Sequence, residues 1–523
     1  MVTVTMSTPR FRPGGRWWCN QAITRPSHGR NAGSIPAQRS SPPVSETGTQ
    51  DTRHPIAMAA LSSGSRRPDD RWWSRSRPTG EATRPSVDDS AATPGSRPRV
   101  TSSYSPDTVS VSATVSILTI TPGDSGDRCD SAVTAVVVPT GRGAYSCTCV
   151  RSLGRRGIET IVASEVEGVS AAASRYCTES VRVADPEVDL LAYRDDLLAL
   201  AERPSVATVI PVRPTDTYVL SRFQEAFQAV TSVFVPTLAQ LDTVFDRVRL
   251  FEAARDAGVP VPRTESLDAV TDWSRPQVVK SRYNLLTSRY LCDRDESDAE
   301  LVKSVDHLAA GERPDDSLRD RLSHTPIVQE YVPSSDEYMV AALYDHGEPL
   351  ATFQHRQIRG NSYTGGGGVY RRSVAIPELG RVAHDLLEAL EWHGLACIEY
   401  MRHAETGEFV LTEINPRMWQ SLPSTVRAGA DFPYYYWLAA TGRPEAIDAD
   451  YELGVGSHLL DGELGYLTSV LREESPLVPS PSVPGAAWAI LASCLREPHF
   501  DYLAMDDPGP FLRGVVNKLR PKG

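Results

Sequence analysis

Residues 395–402 read Leu-Ala-Cys-Ile-Glu-Tyr-Met-Arg, and residues 408–415 read Glu-Phe-Val-Leu-Thr-Glu-Ile-Asn. Between them, residues 403–407 (His-Ala-Glu-Thr-Gly) are of the kind that turn a chain. Together they predict an antiparallel hairpin. With the turn centred near Thr406, Glu399 and Glu413 fall opposite each other, and Asn415 shares their face. Ile398, Val410 and Ile414 then take the buried face. Like charges at a cross-strand pair repel, so a cation between them is the natural reading. Two carboxylates and an amide oxygen are hard ligands, suited to Mg²⁺ carrying substrate phosphates. A merely solvated acidic face would leave Asn415-Pro416-Arg417 without a reason.

Outward from this hairpin, antiparallel patterns continue. Residues 277–280 (QVVK) and 327–332 (IVQEYV) read as strands, and 338–344 and 350–358 flank a turn at 345–348. Gly365 to Gly368 precede a further strand, and 383–392 reads as a helix. Upstream, 246–258 is an amphipathic helix closed by Gly258. Further back, 132–138 (AVTAVVV) is a continuous apolar run, the mark of a buried parallel strand. A Gly turn, a helix over 144–156 and a strand over 158–163 complete a βαβ unit, which 206–211 and 232–235 extend. The expected fold class is therefore α/β followed by α+β.

Residues 1–128 are of another kind. Residues 1–130 hold 16 Arg, no Lys and 11 acids, against 38 bases and 55 acids in the remainder. With no apolar periodicity they cannot bury enough surface to offset chain entropy, so a disordered or over-extended leader is expected. The net charge of −12 argues against a nucleic-acid partner. Lacking any apolar run of about 20 residues, the sequence gives no reason to expect a membrane span. Eight Cys in 523 residues, with no signal pattern, do not make a disulfide framework and fit a cytoplasmic protein.

Glu-Ile-Asn-Pro-Arg at 413–417, followed by Met-Trp-Gln-Ser-Leu and preceded by Ile398-Glu399-Tyr400, resembles the metal-binding end of the ATP-grasp superfamily. The carboxylate–amine ligase and carbamoyl-phosphate-synthase-like branches are nearest in character. The resemblance implies a Rossmann-like domain over 129–240, a two-subdomain ATP-grasp domain over 241–445 with its lid at about 265–335, and a helical segment over 446–523. It implies ATP and Mg²⁺ as cofactors, with Mn²⁺ as a substitute. Arg247 and Lys280 would contact phosphates, Gln329, Glu330, Tyr331 and Val332 would form the adenine hinge, and Glu337 would take the ribose. Glu399, Glu413 and Asn415 would hold the metal.

Arg417 would steady the charge of an acylphosphate. His355, Arg356 and Arg359 are the candidates for reaching the terminal phosphate, with Arg356 preferred. Two departures stand out. Residues 281–286 (SRYNLL) lack the glycines of the family's phosphate loop, leaving Arg282 as a substitute contact, and Thr364 to Gly368 read equally as a lid or a plain turn. Trp419, Ser421 and Arg427 are candidates for the acceptor site. The implied activity is ligation of small-molecule carboxylate and amine substrates through an acylphosphate, in a chain for which a homodimer is compatible. An ATP-binding regulatory module without turnover is the alternative. A Rossmann-type oxidoreductase would rest on residues 133–143 alone.

Overall fold

The computed structural model describes residues 134–519 apart from 142, 144 and 303. The described residues belong to one compact unit, residues 119–523. The expected extension over 1–128 lies outside them.

The described residues open as a parallel layer. β1 (Ala135–Pro139), α1 (Ser146–Gly154), β2 (Thr160–Ser164), β3 (Glu179–Arg182), α2 (Leu190–Ala201) and β4 (Val206–Val209) build a sheet of order β3-β2-β1-β4. Every pairing in it is parallel. Along β1, Ala135 and Val137 pack into one apolar cluster and Val136 and Val138 into another. Both faces are covered, so the strand reads as an unbroken apolar run. Residues 232–235, expected as a further strand, contribute only one bridge, Ser232 to Thr208. The Tyr436 hydroxyl takes the Phe234 N–H instead of a strand carbonyl.

α3 (Pro214–Arg222), α4 (Gln224–Gln228), α5 (Leu238–Phe245) and α6 (Arg247–Asp256) follow. Asp246 starts α6, its Oδ1 accepting the Val248 N–H at 3.0 Å, an N-cap bond worth about 1 kcal/mol. Gly258, at φ +72°, ends it.

Next come β5 (Thr264–Ser266), β6 (Gln277–Lys280), β7 (Leu286–Thr287), β8 (Ala299–Glu300), β9 (Val305–Leu308), α7 (Leu318–Leu322) and β10 (Ile327–Glu330). An antiparallel sheet of order β5-β10-β6-β9 results, with β7 and β8 as a separate ladder.

The main sheet is antiparallel and six-stranded, in the order β15-β14-β11-β12-β13-β16. Its members are β11 (Ser334–Asp345), β12 (Glu348–Ser362), β13 (Gly365–Val374), β14 (Gly394–His403), β15 (Phe409–Asn415) and β16 (Gly456–His458). The glycine run does not precede β13; it is the start of β13, with Gly368 paired to Gly360 and Gly365 to Ser362. α8 (Pro377–Ala389) begins earlier than the expected 383–392, because Pro377 is preset for a first helical turn. The chain leaves it before Glu391, which sits at φ +46°. α9 (Leu422–Arg427) and α10 (Phe432–Ala440) join the second apolar cluster.

The C-terminal segment is more than helical, since β16 extends the main sheet before α11 (Leu460–Arg472), α12 (Val483–Arg496) and α13 (Gly509–Leu519). It also reaches back to the first layer. Arg151 on α1 pairs with Asp507 at 2.8 Å, both side chains buried, and the Ser174 hydroxyl donates to the same carboxylate at 2.7 Å. No helix among the described residues is long and apolar enough to cross a membrane.

Candidate functional site

A cleft of about 1070 Å³ opens between the β5–β9 layer and the main sheet, large by the roughly 300–1,000 Å³ standard of ligand pockets. A separate recess of about 40 Å³ beside Arg263 and Glu330 has room for little more than a few waters.

The β14–β15 hairpin forms the floor. Near its turn the register pairs Arg402 with Phe409 and Tyr400 with Leu411, and a bulge between Glu399 and Tyr400 then shifts it by one. That bulge sets Glu399 opposite Glu413 and Cys397 opposite Asn415. Ile398 and Ile414 are fully buried in the core, as expected. Val410 is not on that face. It pairs with Met401, and both line the cleft, because the bulge reverses the alternation between residues 411 and 413.

Charged side chains gather around this floor. Arg247, 8% exposed, donates from Nη2 to Glu413 Oε2 at 2.8 Å and from Nη1 to the Ser281 carbonyl at 2.9 Å. Asn415 Nδ2 donates to Glu413 Oε1 at 2.7 Å. Lys280 ends β6 on the opposite wall. Burial pulls its ammonium down from 10.5 to about 8, Arg247 adds to the fall, and Glu413, Glu399 and Glu337 oppose it. Two cations, Lys280 and Arg247, and three carboxylates therefore feel each other across the cleft. The donor set of Glu399, Glu413 and Asn415, all oxygen and all lining the cleft, fits a hard divalent ion.

The segment expected as an adenine hinge lies at the edge of the same space: Gln329, Glu330, Tyr331 and Val332 all line it. Their backbone is partly engaged, with Tyr331 N–H bonding the Pro276 carbonyl at 3.2 Å. The Gln329 side chain is turned away, donating to Thr264 Oγ1 at 2.9 Å, so only its main chain can serve a ligand. Glu337 faces the cleft from β11. Burial raises its carboxyl, while Lys280 and a hydrogen bond from Gln357 hold it down.

The three basic candidates on β12 separate. His355 is 2% exposed, and burial, aided by Arg371, pushes it down to about 3. It is neutral at ordinary pH and offers no cation. Arg356, the preferred candidate, is a correction. Its side chain is half-exposed, ion-paired to Asp336, and absent from the cleft wall. Strand alternation sends His355 and Gln357 inward and Arg356 out. Arg359 does line the cleft, held by Glu463 at 2.6 Å. Arg282 is likewise turned elsewhere, bidentate to Asp246 at 2.9 and 2.7 Å.

Arg417 lies beside the metal-ligand candidates, its Nη2 3.3 Å from Asn415 Oδ1 and its Nε buried without a hydrogen-bond partner. Trp419 and Ser421 line the cleft, whereas Arg427 does not. Gly365 to Gly368 form its roof. Gly366, at φ +93°, also faces the Asn361 amide where a Cβ would go. Sequence reasoning missed Gln357, which reaches both Glu337 and the Gly366 carbonyl, and Glu463, which fixes Arg359. It also missed that Tyr466, Val478 and Ala489 of the C-terminal segment close one side. Only the strand period could have pointed to Gln357; the others come from packing across more than 100 residues.

No protein-family model and no curated protein matches the sequence. Solved structures similar to the chain include an ADP complex of N5-carboxyaminoimidazole ribonucleotide synthetase, at 16% identity and TM-score 0.48, covering 69% of this chain and 96% of that one. The biotin carboxylase domain of Hydrogenobacter thermophilus 2-oxoglutarate carboxylase, solved with MgADP, ADP and bicarbonate, matches at 15% identity and TM-score 0.47, covering 62% and 73%. An L-amino acid ligase from Bacillus licheniformis matches at 12% identity and TM-score 0.46, covering 62% and 79%.

Proposed function

We propose that the chain is an ATP-dependent ligase that activates a small-molecule carboxylate as an acylphosphate for attack by an amine. One observation carries this reading: Glu399, Glu413 and Asn415 share one floor with Arg247 and face Lys280 across a nucleotide-sized cleft.

In this reading Lys280 and Arg247 hold the ATP phosphates, the main chain of 329–332 receives the adenine, and Glu337, positioned by Gln357, takes the ribose. Glu399, Glu413 and Asn415 would hold Mg²⁺, which when bound neutralises phosphoryl charge and orients the transferred group. The substrate carboxylate attacks the γ-phosphorus, the bond to the ADP oxygen breaks, and an acylphosphate forms. The amine nitrogen then attacks the acyl carbon and phosphate leaves. Arg417 and Arg359 line the cleft where that charge develops, so positioning and electrostatics supply the rate and no protein nucleophile is needed.

A second reading, nucleotide binding without turnover, is favoured by one feature. The 281–285 segment has no glycine, and its Arg282 is committed to Asp246. The glycine roof over 365–368 can replace it as a cover, since Gly allows close backbone approach to phosphate. Mg²⁺-dependent ADP release across a panel of carboxylate and amine pairs, with product mass, separates the two. Ligation is expected for at least one pair. Binding of ATP with no release on any pair, nor with added metabolite extract, would leave only the binding module.

A further inference from the structure

A second cluster of ligand-type side chains lies at the far end of β11. The β11–β12 turn carries Asp345 and His346, and His393 immediately precedes β14. Asp345 stands eight residues beyond Glu337 on the same strand, about 26 Å at the usual rise per residue. The cluster is therefore independent of the cleft.

Its atoms converge. Asp345 Oδ1 lies 3.1 Å from His393 Nδ1 and 3.9 Å from His346 Nε2. One ligand atom from each of the three residues lies within 4.8 Å of the other two. Ligands about 2.0–2.1 Å from a tetrahedral dication stand about 3.3 Å apart, and the two observed distances bracket that value. His393 Nδ1 is buried, and although Asp345 is close it makes no well-directed hydrogen bond there.

The backbone scaffold is held. Phe234 packs on the His393 ring at 4.1 Å, and the His346 ring stacks on it at 4.4 Å with 21° between the planes. Stacked rings aim their in-plane nitrogens along parallel planes, so the exposed His346 side chain swings off the stack when it ligates. The two turns are tied by Gly347 N–H to the Trp392 carbonyl at 2.8 Å and by the Tyr344–Gly394 pairing. Among the described residues, three non-glycines have positive φ, and two of them, His346 at 48° and Glu391 at 46°, sit in these turns. Held backbone strain of this kind gathers at ligand clamps.

We propose that Asp345, His346 and His393 bind a borderline transition-metal dication such as Zn²⁺, which cross-links the β11–β12 turn to the start of β14. Two imidazoles and one carboxylate with room for water suit Zn²⁺, Co²⁺ or Ni²⁺ rather than Mg²⁺. The His346 side chain is 74% exposed, so the site is open to solvent.

The test is Zn²⁺ titration of the full chain with Mg²⁺ in excess, read by calorimetry and thermal melting, with Co²⁺ absorption as a spectroscopic signature. One site per chain is expected that raises the melting temperature. His346→Asn, which keeps a residue tolerant of positive φ, and His393→Gln should each weaken it at least tenfold and abolish the Co²⁺ band. Glu399→Gln should leave it unchanged. Equal Zn²⁺ affinity in the wild type and His346→Asn, or a site lost in Glu399→Gln instead, would overturn the assignment. Neither result depends on whether the cleft performs ligation.

Discussion

Two hairpins of the same sheet face the cleft, and they treat charge in opposite ways. β14–β15 brings two carboxylates onto one face and neutralises Glu413 with a nearly buried Arg247. β12–β13 carries Arg356, Arg359, Arg371 and Arg372, yet only Arg359 of these lines the cleft. Arg371 and Arg372 pair with Asp501 and Glu497 of the C-terminal segment, and Arg356 pairs with Asp336. Acids are thus concentrated on the cleft floor, while most of the neighbouring arginines hold the protein together. A charged residue near a site is informative only once its face is known.

The largest effect that would break this contrast is in turnover. Glu399→Gln and Glu413→Gln should each lower Mg²⁺-dependent ADP release at least about 100-fold, while Arg356→Ala stays within about twofold. Loss in Arg356→Ala comparable to that in the two glutamates would remove the distinction. Stability should split the glutamates. Glu413→Gln removes the partner of buried Arg247 and should cost about 1–3 kcal/mol in a metal-free melt. Exposed Glu399→Gln should stay within about 0.5 kcal/mol.

Next comes nucleotide affinity. Lys280→Ala should weaken ATP binding about 10- to 100-fold, the range of a lost charged hydrogen bond. The pH dependence has a definite sign. The Lys280 ammonium is present below about 8 and lost above it, so affinity should fall as pH rises through that value, and Lys280→Arg should flatten the profile. The unfolded chain keeps its proton up to about 10.5, so the free protein should gain stability between about 8 and 10.5. A wild-type affinity that is flat across this window would remove Lys280 from the phosphate site.

A smaller effect sharpens the second hairpin. Arg359→Ala should reduce turnover about tenfold, as for one charged contact. Glu463→Gln should reproduce part of that loss, because Glu463 fixes Arg359. The smallest concerns the roof. Gly366→Ala should cost about 1–2 kcal/mol, since it combines positive φ with a side chain in the way. An unchanged melting temperature would mean that the hairpin end yields freely.

The contrast also explains what could be read without coordinates. The parallel layer was legible in 132–138, because a strand buried on both faces writes a continuous apolar run. The Glu399–Glu413 pairing was legible because turn residues and a recognisable segment adjoin it. It was reached by centring the turn on Thr406; the real turn is one residue tighter, centred between Glu405 and Thr406, and a bulge restores the pairing while moving Val410 to the other face. Around residues 355–359 the sequence offers three basic side chains in five positions, and composition cannot say which alternate ones point inward. Segment 232–235 looked like a strand because local apolarity does not reveal that a distant tyrosine takes its N–H.

The clasp between the two ends of the described chain has a consequence for the order in which the molecule becomes whole. Arg151, on the first helix, meets Asp507 across 356 residues, and Arg359 waits for Glu463. At about 5–20 residues per second on the ribosome, Arg359 remains without its carboxylate partner for several seconds. α1 waits longer still for the loop that covers Arg151. During synthesis the cleft has a floor and a roof before it has its third wall. A nascent chain halted before α11 should therefore be folded in its parallel layer yet keep the cleft open on one side, so that the complete pocket arrives late and nearly all at once.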